Sequence, residues 1–213
     1  MIYNKESAKK VAQSLLQIKA IKLQPNKPFT WASGWNSPIY CDNRKILSYP
    51  KIRTFIRQQF VSAIEEHFSK VEVIAGVATG GIAIGALVAE EMGLPFVYVR
   101  SASKGHGMQN MIEGEIPVNK NVVIIEDLIS TGGSSLAALA ALRDEKCNIL
   151  GMVAIFTYGF ETATENFKSN DCKLITLSDY NTLIPTAEED NYISEQDIKS
   201  LTLWRKDPEK WKK

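Results

Sequence analysis

Residues 122–135, VVIIEDLISTGGSS, place two acids, four hydroxyl groups and two glycines within fourteen positions. The branched apolar residues at the start predict a strand buried on both faces, and Glu126 and Asp127 follow it. After the run STGGSS, the Ala-rich stretch 136–142 predicts a helix. A glycine-rich turn between a strand and a helix directs backbone N–H groups at one point, where the helix N-terminus also favours an anion. The segment therefore predicts a phosphate site.

The acids Glu126 and Asp127 restrict the kind of phosphate ligand that fits. A carboxylate repels a phosphate, so these acids suit sugar hydroxyls or a divalent cation that offsets the charge. A phosphorylated ribose with Mg²⁺ would satisfy both ends of the segment. An ordinary parallel strand and turn is the alternative, but it does not explain why paired acids and paired glycines coincide. The chain has neither a Gly-Lys-Ser/Thr run after these glycines nor a G-x-G-x-x-G fingerprint.

A second glycine-rich turn, ATGG at residues 78–81, lies between a predicted strand at 71–76 and a predicted helix at 82–92. This turn alone is weak evidence for a ligand site. Together with the turn at 130–134, it predicts a ligand that carries phosphate groups at both ends.

The stretch 101–121, SASKGHGMQNMIEGEIPVNKN, is the longest part of the chain without apolar periodicity. Long polar loops between core strands are often functional or mobile. Lys104 and His106 are two residues apart, so they share one side of an extended loop, and Arg100 precedes them at a strand end. These three groups could close over a diphosphate. A solvated loop with incidental charge is the alternative.

Strands and helices that alternate from residue 71 onward predict an α/β fold with a parallel sheet. The predicted strands are 71–76, 96–100, 122–125, 148–158 and 174–177, and the predicted helices are 7–18, 49–68, 82–92, 136–142, 161–167 and a C-terminal helix from the capping box at 194–197 to Trp204.

The overall composition is that of an ordinary globular protein. The chain has 213 residues, a formal net charge of +1 and no apolar run near the length of a membrane span, so no membrane or nucleic-acid partner is expected. The polar N-terminus lacks the apolar stretch of a secretion signal. The odd number of cysteines, Cys41, Cys147 and Cys172, has no metal-like spacing. We therefore expect reduced thiols in a cytoplasmic protein.

Residues 29–44, FTWASGWNSPIYCDNR, are dense in aromatic and turn-forming residues. Trp31, Trp35 and Tyr40 lie close in sequence to an acid, an amide and a guanidinium. This combination suits contact with a flat anionic ring. It equally suits a β-hairpin that packs its aromatic rings on the core, and the sequence leaves both interpretations open.

Residues 122–135 resemble the phosphoribosyl diphosphate (PRPP) motif of the type I phosphoribosyltransferases. FTWASGWNSP at 29–38 and RSASKGHG at 100–107 occur with it in the order found in the orotate phosphoribosyltransferases. The resemblance runs over nearly the whole chain. It implies a type I phosphoribosyltransferase fold, with a parallel-strand central sheet flanked by helices and a small N-terminal hood. Residues 1–45 would form the N-terminal helix and hood, and 46–213 the core with a flexible loop at 101–120 and the C-terminal helix.

The resemblance also implies a reaction, in which orotate and PRPP give orotidine 5′-monophosphate and diphosphate for pyrimidine biosynthesis. Lys104, His106 and Asp127 would be catalytic, and Ser130 would contact orotate. The PRPP-binding residues would be Arg100, Lys104, His106, Glu126, Asp127, Leu128, Ile129, Ser130, Thr131, Gly132, Gly133 and Ser134. Mg²⁺ would be held mainly through PRPP, with no protein metal ligand. The partner would be a second copy of the chain, in a homodimer whose subunits share the active site.

The chain departs from the orotate enzymes at three places. Many carry Lys where this chain has Ala32 and Ser101, and many have an Asp-Arg pair where it has Thr157-Tyr158. Each departure removes a cation from an anion site. Arg44, or backbone donors of the hood, are candidate replacements.

Two other functions are compatible with the PRPP motif. A type I transferase for a purine base would share it but would leave the segment at 29–38 without an evident role. A PRPP-sensing regulator would keep the fold without the chemistry, yet the chain has neither a basic patch nor spare length for a nucleic-acid-binding part.

Overall fold

The computed structural model describes residues 1–31, 34–100, 111–116 and 118–212. The strands in this part of the chain are β1 (Ile21–Leu23), β2 (Phe29–Thr30), β3 (Asn36–Ser37), β4 (Ile39–Cys41), β5 (Val73–Val77), β6 (Phe96–Val99), β7 (Ile112–Glu113), β8 (Asn121–Ile129), β9 (Asn148–Thr157) and β10 (Leu174–Asp179). The helices are α1 (Lys5–Gln17), α2 (Pro50–His67), α3 (Gly80–Met92), α4 (Gly133–Asp144), α5 (Glu161–Ser169), α6 (Tyr180–Glu189) and α7 (Glu195–Lys206), with a 3₁₀ helix at Asn43–Ser48.

The central sheet has six strands in the order β10-β9-β8-β5-β6-β7. The first five are parallel to their neighbours, as the sequence predicts, whereas β7 pairs antiparallel with β6 at the edge. The sheet is therefore mixed. The carboxyl ends of β5 and β8 lie side by side, because these two strands are paired from Val73↔Val122 to Gly76↔Ile125.

Helices cover both faces of the sheet. Both faces of β8 are therefore buried, which explains why its apolar residues are continuous. Val123 and Ile125 pack into the core formed with α1, α2, α3, α6 and α7. Val122 and Ile124 face the other way, into the core formed with α4 and α5. The prediction of a strand buried on both faces is confirmed. The strand is longer than predicted, however, since it continues to Ile129 and includes Glu126 and Asp127.

The N-terminal strands form two small antiparallel pairs, β1 with β4 and β2 with β3. These pairs, with the connecting residues that the structure describes, are called the hood below. The helix α1 precedes the hood and packs on α6 and β10, so its apolar face belongs to the main core. The boundary between residues 45 and 46 stays a prediction.

Helix α6 was not predicted. Pro185 lies inside it, a position where proline removes a helical hydrogen bond. The helix nevertheless begins at an N-cap, because the Asp179 side chain accepts a hydrogen bond from the Thr182 N–H at 2.8 Å. Among the described residues no helix is long and apolar enough to cross a membrane. The three cysteines are free.

Candidate active site

Two strand-to-helix turns lie next to each other at one edge of the sheet. One turn connects β5 with α3, and the other connects β8 with α4. Both helices begin at a glycine, Gly80 and Gly133, and neither has a side-chain cap on its first N–H groups. Uncapped N–H groups at a helix N-terminus are anion donors. The structure thus brings together the two glycine-rich turns that the sequence predicts as phosphate sites.

The two turns are packed so closely that the β5–α3 turn has no room for a Cβ atom at Gly80 or Gly81. A Cβ atom on Gly80 would lie 2.1 Å from Cγ of Asp127, and one on Gly81 would lie 2.4 Å from the carbonyl oxygen of Ile125. On the other turn, Gly132 has a φ of +86°, which lets the chain reverse directly into α4. The side chain of Asp127 therefore lies against the backbone of the neighbouring turn.

The two acids occupy different environments. Glu126 is 4% exposed, and its carboxyl accepts hydrogen bonds from the Asp127 N–H at 2.9 Å and from the Ser135 hydroxyl at 2.7 Å. Burial, followed by the charge of Asp127, raises the pKa of Glu126 to about 8. Asp127 is half-buried, and burial raises its pKa as well, although the charge of Arg44 acts in the opposite direction. Asp127 is thus the acid with access to a ligand.

Asn43 connects the hood to this edge of the sheet. Its side chain is 1% exposed, and it donates from Nδ2 to the Asp127 carbonyl at 2.6 Å and accepts from the Cys41 thiol at 3.3 Å. Next to it, Arg44 forms an ion pair with Asp42, with Nε 2.6 Å from Oδ1. The contact between Asn43 and Asp127, which are 84 positions apart, could not be predicted, because an amide side chain does not specify its partner.

The hood aromatics both pack and line a cavity. The Trp31 ring lies 5.3 Å from the ring of Tyr158 and 5.6 Å from that of Trp204, and its Nε1 donates to the Ile39 carbonyl at 3.1 Å. A cavity of about 260 Å³ adjoins these rings. Its lining consists of Thr30, Trp31, Tyr40, Cys41, Leu128, Ser130 and Tyr158. Trp31 therefore packs on the core, as the hairpin interpretation predicts, and it also lines a cavity, while its contact with a flat anionic ring stays a prediction.

A larger cavity of about 630 Å³ opens beside the first one. Trp35 and Thr131 line it from the hood and the β8–α4 turn, and Arg205 lines it from α7. Ser130 and Thr131 are consecutive, as are Tyr158 and Gly159, and in each pair one residue lines each cavity. The linings of the two cavities therefore meet at these two pairs of consecutive residues, although they share no residue.

Of the three residues predicted to close over a diphosphate, the structure describes Arg100 and leaves the other two outside the described part of the chain. Arg100 forms an ion pair with Glu113, with Nη1 3.2 Å from Oε1, at the start of the segment that follows β6. Lys104, His106, Ser101 and Ala32 lie outside the described residues. No group of three or more His, Cys, Asp or Glu side chains that could hold a metal occurs in the described part of the chain.

The comparisons with known proteins agree with this geometry. The Phosphoribosyl transferase domain model matches residues 44–190. The chain is 57% identical to an orotate phosphoribosyltransferase of Porphyromonas gingivalis, over 97% of this chain and 99% of the relative. It is 54% identical to one of Staphylococcus epidermidis, over 93% of this chain and 98% of the relative.

Solved structures show the same fold. The structure of Leishmania donovani UMP synthase matches with a TM-score of 0.80 and 25% identity, over 95% of this chain and 43% of that chain. The orotate phosphoribosyltransferase of Aeropyrum pernix matches with a TM-score of 0.75 and 24% identity, over 86% of this chain and 99% of that chain. The chain therefore belongs to the phosphoribosyl transferase family and, within it, to the orotate phosphoribosyltransferases.

Proposed function

We propose that the chain transfers the 5-phosphoribosyl group of PRPP to orotate, giving orotidine 5′-monophosphate and diphosphate in the biosynthesis of UMP. One observation carries this proposal. Asp127 lies between two uncapped helix N-termini, and Ser130 and Leu128 beside it line a cavity roofed by the hood. The two helix N-termini would suit the two phosphate-bearing ends of the substrates, Asp127 would suit the sugar, and the cavity would suit the flat base.

The β8–α4 turn would hold the 5′-phosphate. Its N–H groups open α4, and Thr131 and Ser134 are exposed and add hydroxyl donors. The Thr131 carbonyl is fixed by a hydrogen bond from Asn166 Nδ2 at 3.1 Å, which holds the turn in place. A turn that is ordered before the ligand arrives loses little entropy on binding.

Asp127 would bind the ribose hydroxyls. The reaction breaks a bond at the anomeric carbon, so positive charge develops on the sugar, and a nearby carboxylate stabilises it. Glu126 would act through Asp127, because its own carboxyl oxygens already accept from the Asp127 N–H and from Ser135. No protein nucleophile is needed, since the ring nitrogen of orotate attacks the sugar.

The β5–α3 turn would hold the diphosphate, together with Arg100, Lys104 and His106 from the following loop. In the described structure Arg100 is paired with Glu113, so binding of the diphosphate would exchange one anionic partner for another. Mg²⁺ would be held mainly through oxygens of PRPP, where it supplies positive charge against the leaving diphosphate. Closure of the loop would exclude water, which could otherwise hydrolyse PRPP.

The assembly we propose is a homodimer in the cytoplasm. In this dimer the loop that carries Lys104 and His106 would reach the active site of the partner subunit. Each site would then need groups from two chains, and its activity would depend on association.

The test follows orotate absorbance after purified protein, PRPP and Mg²⁺ are mixed, with hypoxanthine and uracil in parallel reactions assayed for diphosphate. We expect orotate alone to be consumed. Diphosphate release only with hypoxanthine or uracil would contradict the assignment of the base, and inactivity with all three would favour a PRPP-sensing regulator.

A further inference from the structure

The substrate of the proposed reaction raises a question of charge. Orotate is a carboxylate, and an anion that enters a partly apolar pocket needs a cation or several hydrogen-bond donors. Among the residues that the structure describes, none that lines the cavity of about 260 Å³ containing Ser130 has a charged side chain. Thr157 and Tyr158 also offer no cation there, and the Tyr158 ring is packed against Trp31. A cation in a neighbouring part of the site would match the carboxylate.

The cavity of about 630 Å³ is lined by two cations of α7, Arg205 and the exposed Lys206, and of these Arg205 is the one held by hydrogen bonds. The guanidinium donates from Nε to the Tyr158 carbonyl at 3.1 Å and from Nη2 to the Gly159 carbonyl at 3.0 Å. It also donates from Nη1 to Oδ1 of Asn181. These three hydrogen bonds hold the group at the end of β9, where the linings of the two cavities meet.

Arg205 retains capacity for a ligand. A guanidinium has five N–H donors, and three are used, which leaves two without a partner in the described part of the chain. The side chain is half-buried, so its remaining donors are only partly hydrated. Its protein partners are neutral oxygens, so no carboxylate among them offsets its charge. Glu161 also lines the cavity but is exposed at the start of α5.

Other residues connect this cavity with the proposed substrates. Trp35 lines it from the hood, and Thr131 belongs to the turn that we assign to the 5′-phosphate. A base attached to the ribose must therefore lie close to this turn. An arginine that is already fixed by backbone carbonyls can meet a carboxylate at low entropic cost.

We propose that Arg205 is a specificity-determining residue that binds the carboxylate of orotate and of the product orotidine 5′-monophosphate. This inference rests on the proposed function and names the residue that supplies the cation. It assigns to the C-terminal helix a role in recognising the substrate.

The experiment compares two nucleotides that differ only in this carboxylate, orotidine 5′-monophosphate and UMP. Their dissociation constants are measured by calorimetry on the wild type, Arg205→Met and Arg205→Lys. We expect Arg205→Met to weaken binding of orotidine 5′-monophosphate by about tenfold to a hundredfold, the range for a charge-assisted hydrogen bond, and to change UMP binding by less than about twofold. Arg205→Lys keeps the charge without the planar fork, so an intermediate loss is expected.

Lys199→Met is the matched control, because Lys199 is an exposed cation on the same helix and lines neither cavity. It should preserve the preference for the carboxylate. If Arg205→Met and Arg205→Lys weaken both nucleotides equally, or weaken neither, the inference is wrong. A wild type that turns over orotate while the Arg205 variants keep their preference would overturn this inference alone. A wild type that does not turn over orotate would overturn the proposed function.

Discussion

At the scale of single residues, the two consecutive acids of β8 have separate tasks. Asp127 lies against Gly80 and is open to a ligand, whereas Glu126 is buried and hydrogen-bonded to Ser135. A carboxylate that is buried without a cationic partner is costly in its charged form. The two residues should therefore respond differently to the same change, from acid to amide.

We expect Asp127→Asn to lower turnover by about a hundredfold or more, because the variant loses the charge that stabilises the developing positive charge on ribose. The free energy of unfolding should not fall, since burial raises the pKa of Asp127 and an amide relieves that cost. Steady-state kinetics with orotate and urea unfolding measure the two effects. Near-normal turnover would contradict the role of Asp127.

Glu126→Gln should instead change how the free energy of unfolding depends on pH. The pKa of Glu126 is about 8 in the fold and 4.5 for the ordinary group. Below pH 4.5 both states hold the proton; as the pH rises toward 8 the unfolded chain loses its proton first, so the free energy of unfolding falls. Glutamine does not titrate. Its amide oxygen can accept from the Asp127 N–H, and its amide nitrogen can donate to the Ser135 hydroxyl oxygen. Relative to the wild type, the variant should gain roughly 1–4 kcal/mol between pH 5 and pH 8.

Urea unfolding at the two pH values measures this gain, with the exposed Glu165→Gln as control. A difference between Glu126→Gln and wild type that does not change with pH would show that Glu126 titrates normally. Burial causes the raised pKa, and the hydrogen bond from Ser135, which acts against it, could not be read from sequence. Glu126 and Ser135 are nine residues apart on a strand and a helix, and their meeting depends on how α4 turns back over β8.

At the scale of elements, the contact between α3 and β8 sets the geometry of the site. Gly81→Ala should lower the free energy of unfolding by about 1–3 kcal/mol, because the new Cβ would meet the Ile125 carbonyl at 2.4 Å and backbone cannot rotate away. Gly133→Ala is the matched control at the start of α4, where nothing lies within 4 Å of the added Cβ. It should change stability by less than about 1 kcal/mol. Equal losses in urea unfolding would contradict this explanation.

The elements themselves were largely predictable from apolar periodicity. Strands β5, β6, β8, β9 and β10 were each expected, because buried parallel strands are continuous apolar runs. Helix α6 and strand β7 are among the elements that were not expected. Helix α6 contains Pro185, which normally argues against a helix, but its packing on α1 compensates for the lost hydrogen bond. Strand β7 has two residues, too few for any periodicity.

At the scale of the whole molecule, the site is assembled from distant parts of the chain. The aromatic rings of Trp31, Tyr158 and Trp204 pack together, which joins the hood, the end of β9 and the C-terminal helix. The motif at 122–135 predicts the phosphate and ribose positions, since these depend on one turn. The base position depends on this three-part packing, which no single segment encodes.

The proposed homodimer makes a prediction that needs two kinds of hybrid. In the first hybrid, one subunit carries Lys104→Ala and the other carries Asp127→Asn. In the second, one subunit is wild type and the other carries both changes. Each hybrid contains the same two substitutions, so overall composition is matched. Differently tagged subunits allow each hybrid to be purified before its activity is measured.

If the loop of one subunit completes the site of its partner, the first hybrid has one site without any substitution and one site with both. It should keep about half of the wild-type activity per dimer. The second hybrid then has one substitution in each site and should be nearly inactive. A loop that acts within its own subunit predicts the reverse, an inactive first hybrid and a half-active second one. Because the two arrangements exchange the active and inactive hybrids, a single pair of turnover measurements decides between them.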